Sequence, residues 1–124
     1  MPEDYAARGR EVQRQLWGDR VADADQTPAP FSELAPDLFP LVREFCFGMF
    51  WSRPGLATRD RSLITVAMLA AMGKQEELRG HLAGALSAGL SKEELVEALM
   101  QVAVYAGVPA AVNALNTAAT VLGD

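Results

Sequence analysis

The stretch Glu76-Glu77-Leu78-Arg79-Gly80-His81-Leu82-Ala83-Gly84-Ala85-Leu86-Ser87-Ala88-Gly89 decides how the chain is read. Leu78, Leu82, Ala85 and Leu86 recur at i, i+4, i+7 and i+8, the spacing of one face of a helix. His81, the single histidine, falls three residues after Leu78 and four before Ala85, so it is expected to point into the same seam. Gly80 and Gly84 lie inside this helix, where each costs about 1 kcal/mol relative to alanine. A helix carrying two such residues implies close approach by another backbone or by a small molecule. The stretch reads as the floor of a pocket with one titratable group in it.

The same periodicity extends on both sides, and six helices are expected. The first covers residues 2–17, with Val12, Leu16 and Trp17 as a short apolar stripe and Gly18 as its stop. Arg20 to Pro30 reads as a linker from its Asp, Thr and Pro content. A second helix should start near Pro36 or Asp37 and run to about Phe50, with Leu38, Leu41, Val42, Phe45 and Met49 inward. Pro54 and Gly55 then make a turn. Thr58 is placed to cap a third helix over 59–72, with Leu63, Val66, Ala67 and Ala70 on one stripe and Ile64, Met68 and Leu69 widening it. The opening stretch is the fourth. Ser91 and Glu94 form a capping box for a fifth, ending near Tyr105. Pro109 starts a sixth, with Val112, Leu115, Ala119 and Leu122 inward. No strand is expected, so the fold class is all-α, a helical bundle. The expected organisation is an N-terminal helix and linker over 1–30 and a helical domain over 31–124.

Composition narrows the possible functions. The 124 residues suffice for one core. A net charge of −5 argues against nucleic acid or an anionic membrane surface as partner, since both need a basic face. No apolar run spans a membrane, and the N-terminal residues do not read as a secretion signal. The single cysteine, Cys46, excludes an intrachain disulfide and fits a reducing cytoplasm. No metal site is expected, because a site built on one histidine would need Asp and Glu as its other ligands.

Four blocks then stand out: Trp51-Ser-Arg-Pro-Gly-Leu56, Arg61-Ser-Leu63, His81-Leu-Ala-Gly-Ala-Leu86 and Ala103-Val-Tyr-Ala-Gly-Val-Pro-Ala110. In this order they resemble the carboxymuconolactone decarboxylase family. The resemblance implies an all-helical subunit of alkylhydroperoxidase D-like fold in a ring-like homo-oligomer, a trimer or hexamer. It also implies a cofactor-free carboxy-lyase converting 4-carboxymuconolactone, a carboxylated lactone, to 3-oxoadipate enol-lactone. The peroxidase branch of the superfamily uses a Cys-x-x-Cys-x-x-x-His helix. Here Lys74 and Glu77 occupy the cysteine places and Ser62 the place of a partner glutamate, so the thiolate chemistry is excluded. Decarboxylase-type members often carry an acidic residue where this chain reads Phe47-Gly48-Met49, which suggests a different or less polar substrate.

Such a decarboxylation needs a cation for the substrate acids, a dry wall and a proton donor. His81 is the candidate proton donor, since imidazole changes charge near neutral pH. Arg53 is the candidate carboxylate clamp through its planar fork of donors. Glu77, four residues before His81, is placed to orient the ring. Ser62, Trp51 and Met49 are candidates for substrate contact. The alternatives are a divergent member acting on another lactone or β-keto acid, and a non-catalytic oligomeric binding protein.

Overall fold

The computed structural model describes residues 4–123. Their regular structure is all helical, with no strand among them: α1 (Tyr5–Trp17), α2 (Asp19–Asp23), α3 (Phe31–Leu34), α4 (Leu38–Val42) running without a break into a π-helix (Arg43–Trp51), α5 (Thr58–Met72), α6 (Gln75–Ser87), α7 (Lys92–Tyr105) and α8 (Val108–Leu122). The six expected helices are present, and α2 and α3 are short additions. The chain forms two compact units, one up to Thr58 and the other from Arg59.

The first unit is built on α1 packed against the π-helix. A Cβ on Gly9 would sit 2.3 Å from the Arg43 carbonyl oxygen, and one on Gly48 would sit 2.1 Å from that of Tyr5. Glycine at both points lets the two backbones touch. The π-turn changes which residues face in. Bonds from i to i+5 bring positions four and five apart to one side, so Arg43, Phe47 and Gly48 are the buried ones. The expected inward set was projected at 3.6 residues per turn, and Phe45 and Met49 are exposed instead. Leu38 and Leu41, ahead of the π-turn, are exposed too, because so small a unit has little interior to cover them.

The segment read as a linker is partly structured. Gly18 ends α1 at φ 86°, and α2 follows at once. Arg10 Nη1 donates to the Ala22 carbonyl (2.8 Å), Arg14 Nη2 to Asp23 (3.0 Å) and Arg43 Nη2 to the Val21 carbonyl (3.0 Å). Arg43 itself is buried, its Nε donating to Gln13 Oε1 at 2.6 Å and its guanidinium lying 5.0 Å from the centre of the Phe39 ring.

The second unit gathers Val66, Ala70, Leu78, Leu82, Leu95, Leu99, Ala111 and Ala114 into one core. The capping box forms as read: the Glu94 amide donates to Ser91 Oγ and the Ser91 amide to Glu94 Oε1, both at 3.0 Å. Three faces differ from expectation. In α5, Ile64 and Met68 are exposed, so the helix is buried on one side only. In α6, Leu86 is exposed while Leu78, Leu82 and Ala85 are fully buried. In α8 the buried residues are Ala111, Ala114, Thr117 and Ala118, whereas Val112 and Ala119 face out. Small residues at the contact let helices approach closely, and that packing outweighs placing the larger side chains inward. Gly80 is exposed, and among the described residues a Cβ there would meet nothing within 4 Å.

Candidate functional site

Within the first unit, α1 and the turn after the π-helix enclose a cleft of about 560 Å³. One wall is a single helical face: Arg8, Glu11, Val12 and Gln15, at i, i+3, i+4 and i+7. The other is the Trp51–Thr58 turn, which contributes Trp51, Arg53 and Leu56. Local hydrogen bonds shape this turn. Ser52 Oγ donates to the Gly48 carbonyl, and the Arg53 amide donates to the Phe50 carbonyl at 3.1 Å. Pro54 and Gly55 then reverse the chain. Thr58, expected as a cap, is the first helical residue of α5; its hydroxyl donates to Gln15 Oε1 at 3.3 Å and ties the two walls together.

Trp51 is held by its neighbours. Its ring lies 5.7 Å from that of Phe47, which Trp17 meets edge-on at 5.5 Å. Arg53 is exposed. Arg8 is half-buried, its guanidinium 5.7 Å from the centre of the Tyr5 ring. The Glu11 carboxylate accepts from Arg14 Nε at 3.3 Å. The cleft thus combines apolar walls with a few charged groups, the usual make-up of a small-molecule site.

In the second unit His81 is half-buried on α6. Desolvation pushes its pKa down, and the charge of Glu77 pulls part of the way back. The imidazole is therefore mostly neutral at rest near pH 7. Glu77 is exposed; Arg79 pairs with Glu76 at 3.6 Å and bonds the Thr120 hydroxyl. Ser62 is 1% exposed, and its hydroxyl has no hydrogen-bond partner among the described residues. Among those residues no cluster of three or more His, Cys, Asp or Glu could hold a metal ion. Burial raises the Cys46 thiol pKa, which disfavours the nucleophilic thiolate.

Of the residues singled out from sequence, Arg53 and Trp51 share one cleft. Met49 is exposed on the π-helix and does not line it. His81, Glu77 and Ser62 belong to the second unit. Sequence reasoning missed Arg8 and Gln15. Their signal is the i, i+3, i+4, i+7 spacing with Glu11 and Val12, which a search for apolar stripes passes over.

The model of the carboxymuconolactone decarboxylase family matches residues 36–120. The chain is 34% identical over 117 residues to the 4-carboxymuconolactone decarboxylase of Acinetobacter baylyi, covering 94% of this chain and 86% of that protein. It is 30% identical over 117 residues to a nitrosuccinic acid decarboxylase of Metarhizium robertsii, covering 94% of this chain and 80% of that protein. It is also 31% identical over 94 residues to an uncharacterized 15.0 kDa protein of Paracoccus denitrificans, covering 74% and 70%.

Proposed function

Because the chain belongs to the carboxymuconolactone decarboxylase family, we propose that it is a carboxy-lyase that converts 4-carboxymuconolactone to 3-oxoadipate enol-lactone. The observation that carries this reading is the cleft that Arg53 and the aromatic Trp51 both line. A guanidinium fork binds a carboxylate in two parallel hydrogen bonds, and an apolar wall favours loss of charge as CO2 departs.

The leaving carboxylate sits on a ring carbon conjugated through a double bond with the lactone carbonyl. When the C–C bond breaks, CO2 leaves and the electron pair passes into that conjugated system as a dienolate. A proton then goes to the carbon beside the carbonyl. The carbonyl itself is the electron sink, so no cofactor is required. His81 is the proposed proton donor. Burial keeps the ring neutral at rest, and a substrate carboxylate brought to it would favour the imidazolium, as the Glu77 charge already does in part. In this reading Glu77 supports the charged ring, Ser62 offers a hydroxyl donor, and Trp51 supplies apolar surface, while Met49, outside the cleft, has no part in it. Each role is assigned within its own unit and tested by its own substitution.

The test is CO2 release from 4-carboxymuconolactone by purified protein and by His81→Ala. Turnover by the wild type and its loss in the variant are expected. Turnover that survives His81→Ala removes the histidine from the mechanism, and no turnover by the wild type removes the substrate.

A second reading, an activated acid other than the lactone, is favoured by Met49 standing where an acidic residue is common and by the likeness to a nitrosuccinic acid decarboxylase. Apolar surface also supports a homo-oligomer: Leu34 is 90%, Tyr105 85% and Val104 70% exposed. Elution as a monomer in size-exclusion chromatography would count against it.

A further inference from the structure

We infer that the first unit carries a second ligand site, separate from the α1 cleft, which binds a small aromatic monocarboxylate, with Phe39 against its ring and Arg20 on its carboxylate. The site is a cleft of about 320 Å³ formed by α2, the segment that follows it and the start of α4. It is more enclosed than the α1 cleft and shares no lining residue with it. Its size is at the low end for small-molecule sites, which suits a ligand of one ring.

The walls are held in place before any ligand arrives. Val21, Ala24 and Pro28 are apolar lining, and Phe39 is the aromatic part. The buried Arg43 does not line the cleft, yet its guanidinium lies 5.0 Å from the centre of the Phe39 ring and donates to the Val21 carbonyl at 3.0 Å. One buried cation thus fixes two lining residues. The segment after α2 is pinned at two points: Gln26 Nε2 donates to the Pro36 carbonyl at 2.6 Å, and Ser32 Oγ to the Thr27 carbonyl at 2.8 Å. A preformed cleft spares a ligand much of the ordering cost of binding.

Charge then selects the ligand. Arg20 is the one charged residue in the lining, with no carboxylate there to compete for it. It is exposed, and it makes no ion pair among the described residues. The acids next to it in sequence are engaged elsewhere, Asp19 and Asp23 by Arg14 and Asp25 by Arg10. The Thr27 hydroxyl, also in the lining, is a further donor for an anion. A flat ring bearing one carboxylate matches this set: the ring packs on Phe39 and Pro28, and the two oxygens take the guanidinium fork. A second carboxylate would find no cation, and an amine would meet Arg20 with like charge.

The test is titration of the full chain with benzoate and with benzamide, its uncharged analogue, followed by backbone amide shifts in NMR and by calorimetry. Thermal melts establish that each variant is folded. Benzoate should shift the amides of residues 20–27 and of Phe39 saturably, and bind roughly 5- to 10-fold more tightly than benzamide, the effect of one charge-assisted pair. Arg20→Gln should erase that difference and leave benzamide binding unchanged. Phe39→Leu should weaken both ligands alike, and Arg53→Gln, in the other cleft, should change neither. Equal binding of the two ligands by the wild type, a preference unchanged in Arg20→Gln, or shifts confined to the α1 cleft overturns the inference. So does the lack of any saturable shift in residues 20–27. None of these outcomes bears on the decarboxylase reading, which stands or falls on CO2 release.

Discussion

The carbonyl oxygen of Tyr5 lies so close to Gly48 that a Cβ added there would stand 2.1 Å from it. Both partners are backbone, so no flexible side chain can yield. Gly48→Ala should therefore force α1 off the π-helix and cost about 3 kcal/mol or more, at the severe end of overpacking. Gly9→Ala, which meets the Arg43 carbonyl at 2.3 Å, should behave alike. Gly80→Ala is the contrast. Among the described residues an added Cβ would meet nothing within 4 Å, so the helix should gain about 0.5–1 kcal/mol from better propensity. Urea denaturation of the three variants checks the opposite signs. A cost at Gly80 would mean that a ligand or a second subunit approaches there.

Arg43 is a buried cation held by neutral acceptors. Desolvation, and next to it the charge of Arg10, lower its pKa. Arg43→Met should leave Gln13 and the Val21 carbonyl without their donor, costing about 2–4 kcal/mol. Arg43→Lys should rescue little, because one ammonium cannot reproduce the fork. Hydrogen exchange should show faster opening of residues 19–25 in both. Protection unchanged in Arg43→Met would show that Arg10 and Arg14 alone hold that segment.

The His81 imidazole should make stability depend on pH in a defined window. Its folded pKa lies below the ordinary value of 6.5. Between the two values the unfolded chain binds more protons, so stability rises with pH there. The contribution is complete above the ordinary value and is lost as pH falls through the window toward the folded value. His81→Gln should flatten this slope, and Glu77→Gln should lower the folded value further. Asp23, held low by Arg14, and Glu94, held low first by the Ser91 amide, act only at more acidic pH. As the sole histidine, His81 gives one set of imidazole resonances in NMR, and a midpoint above the ordinary value would contradict the burial argument.

Ser62 carries a buried hydroxyl with no partner among the described residues. Ser62→Ala removes that desolvated group and should leave stability equal or raise it by about 1 kcal/mol. A simultaneous fall in kcat would show that the hydroxyl is kept for the reaction; destabilisation would show that it has a structural partner.

Much of the fold was legible because the punctuation is chemical. Ser91 and Glu94 fix the start of α7, and Gly18 fixes the end of α1. The π-helix was not legible, since Phe45 and Met49 fit a 3.6-residue period as well as any core face. The inward side of α8 was missed because its alanines carry little hydrophobic weight yet permit the closest packing. In the candidate site, Arg53 and Trp51 were found as a contiguous block, whereas Arg8, 43 residues earlier in the chain than Trp51, comes to line the same cleft only through folding.

The most direct measurement is kcat/KM for CO2 release from 4-carboxymuconolactone by the wild type and by Arg53→Gln, with both shown to be folded. Clear turnover by the wild type and a loss of roughly 100-fold in the variant are predicted, the scale of removing a charged substrate contact. No release by the wild type, or equal rates in the two proteins, would contradict a carboxylate held in the α1 cleft for decarboxylation.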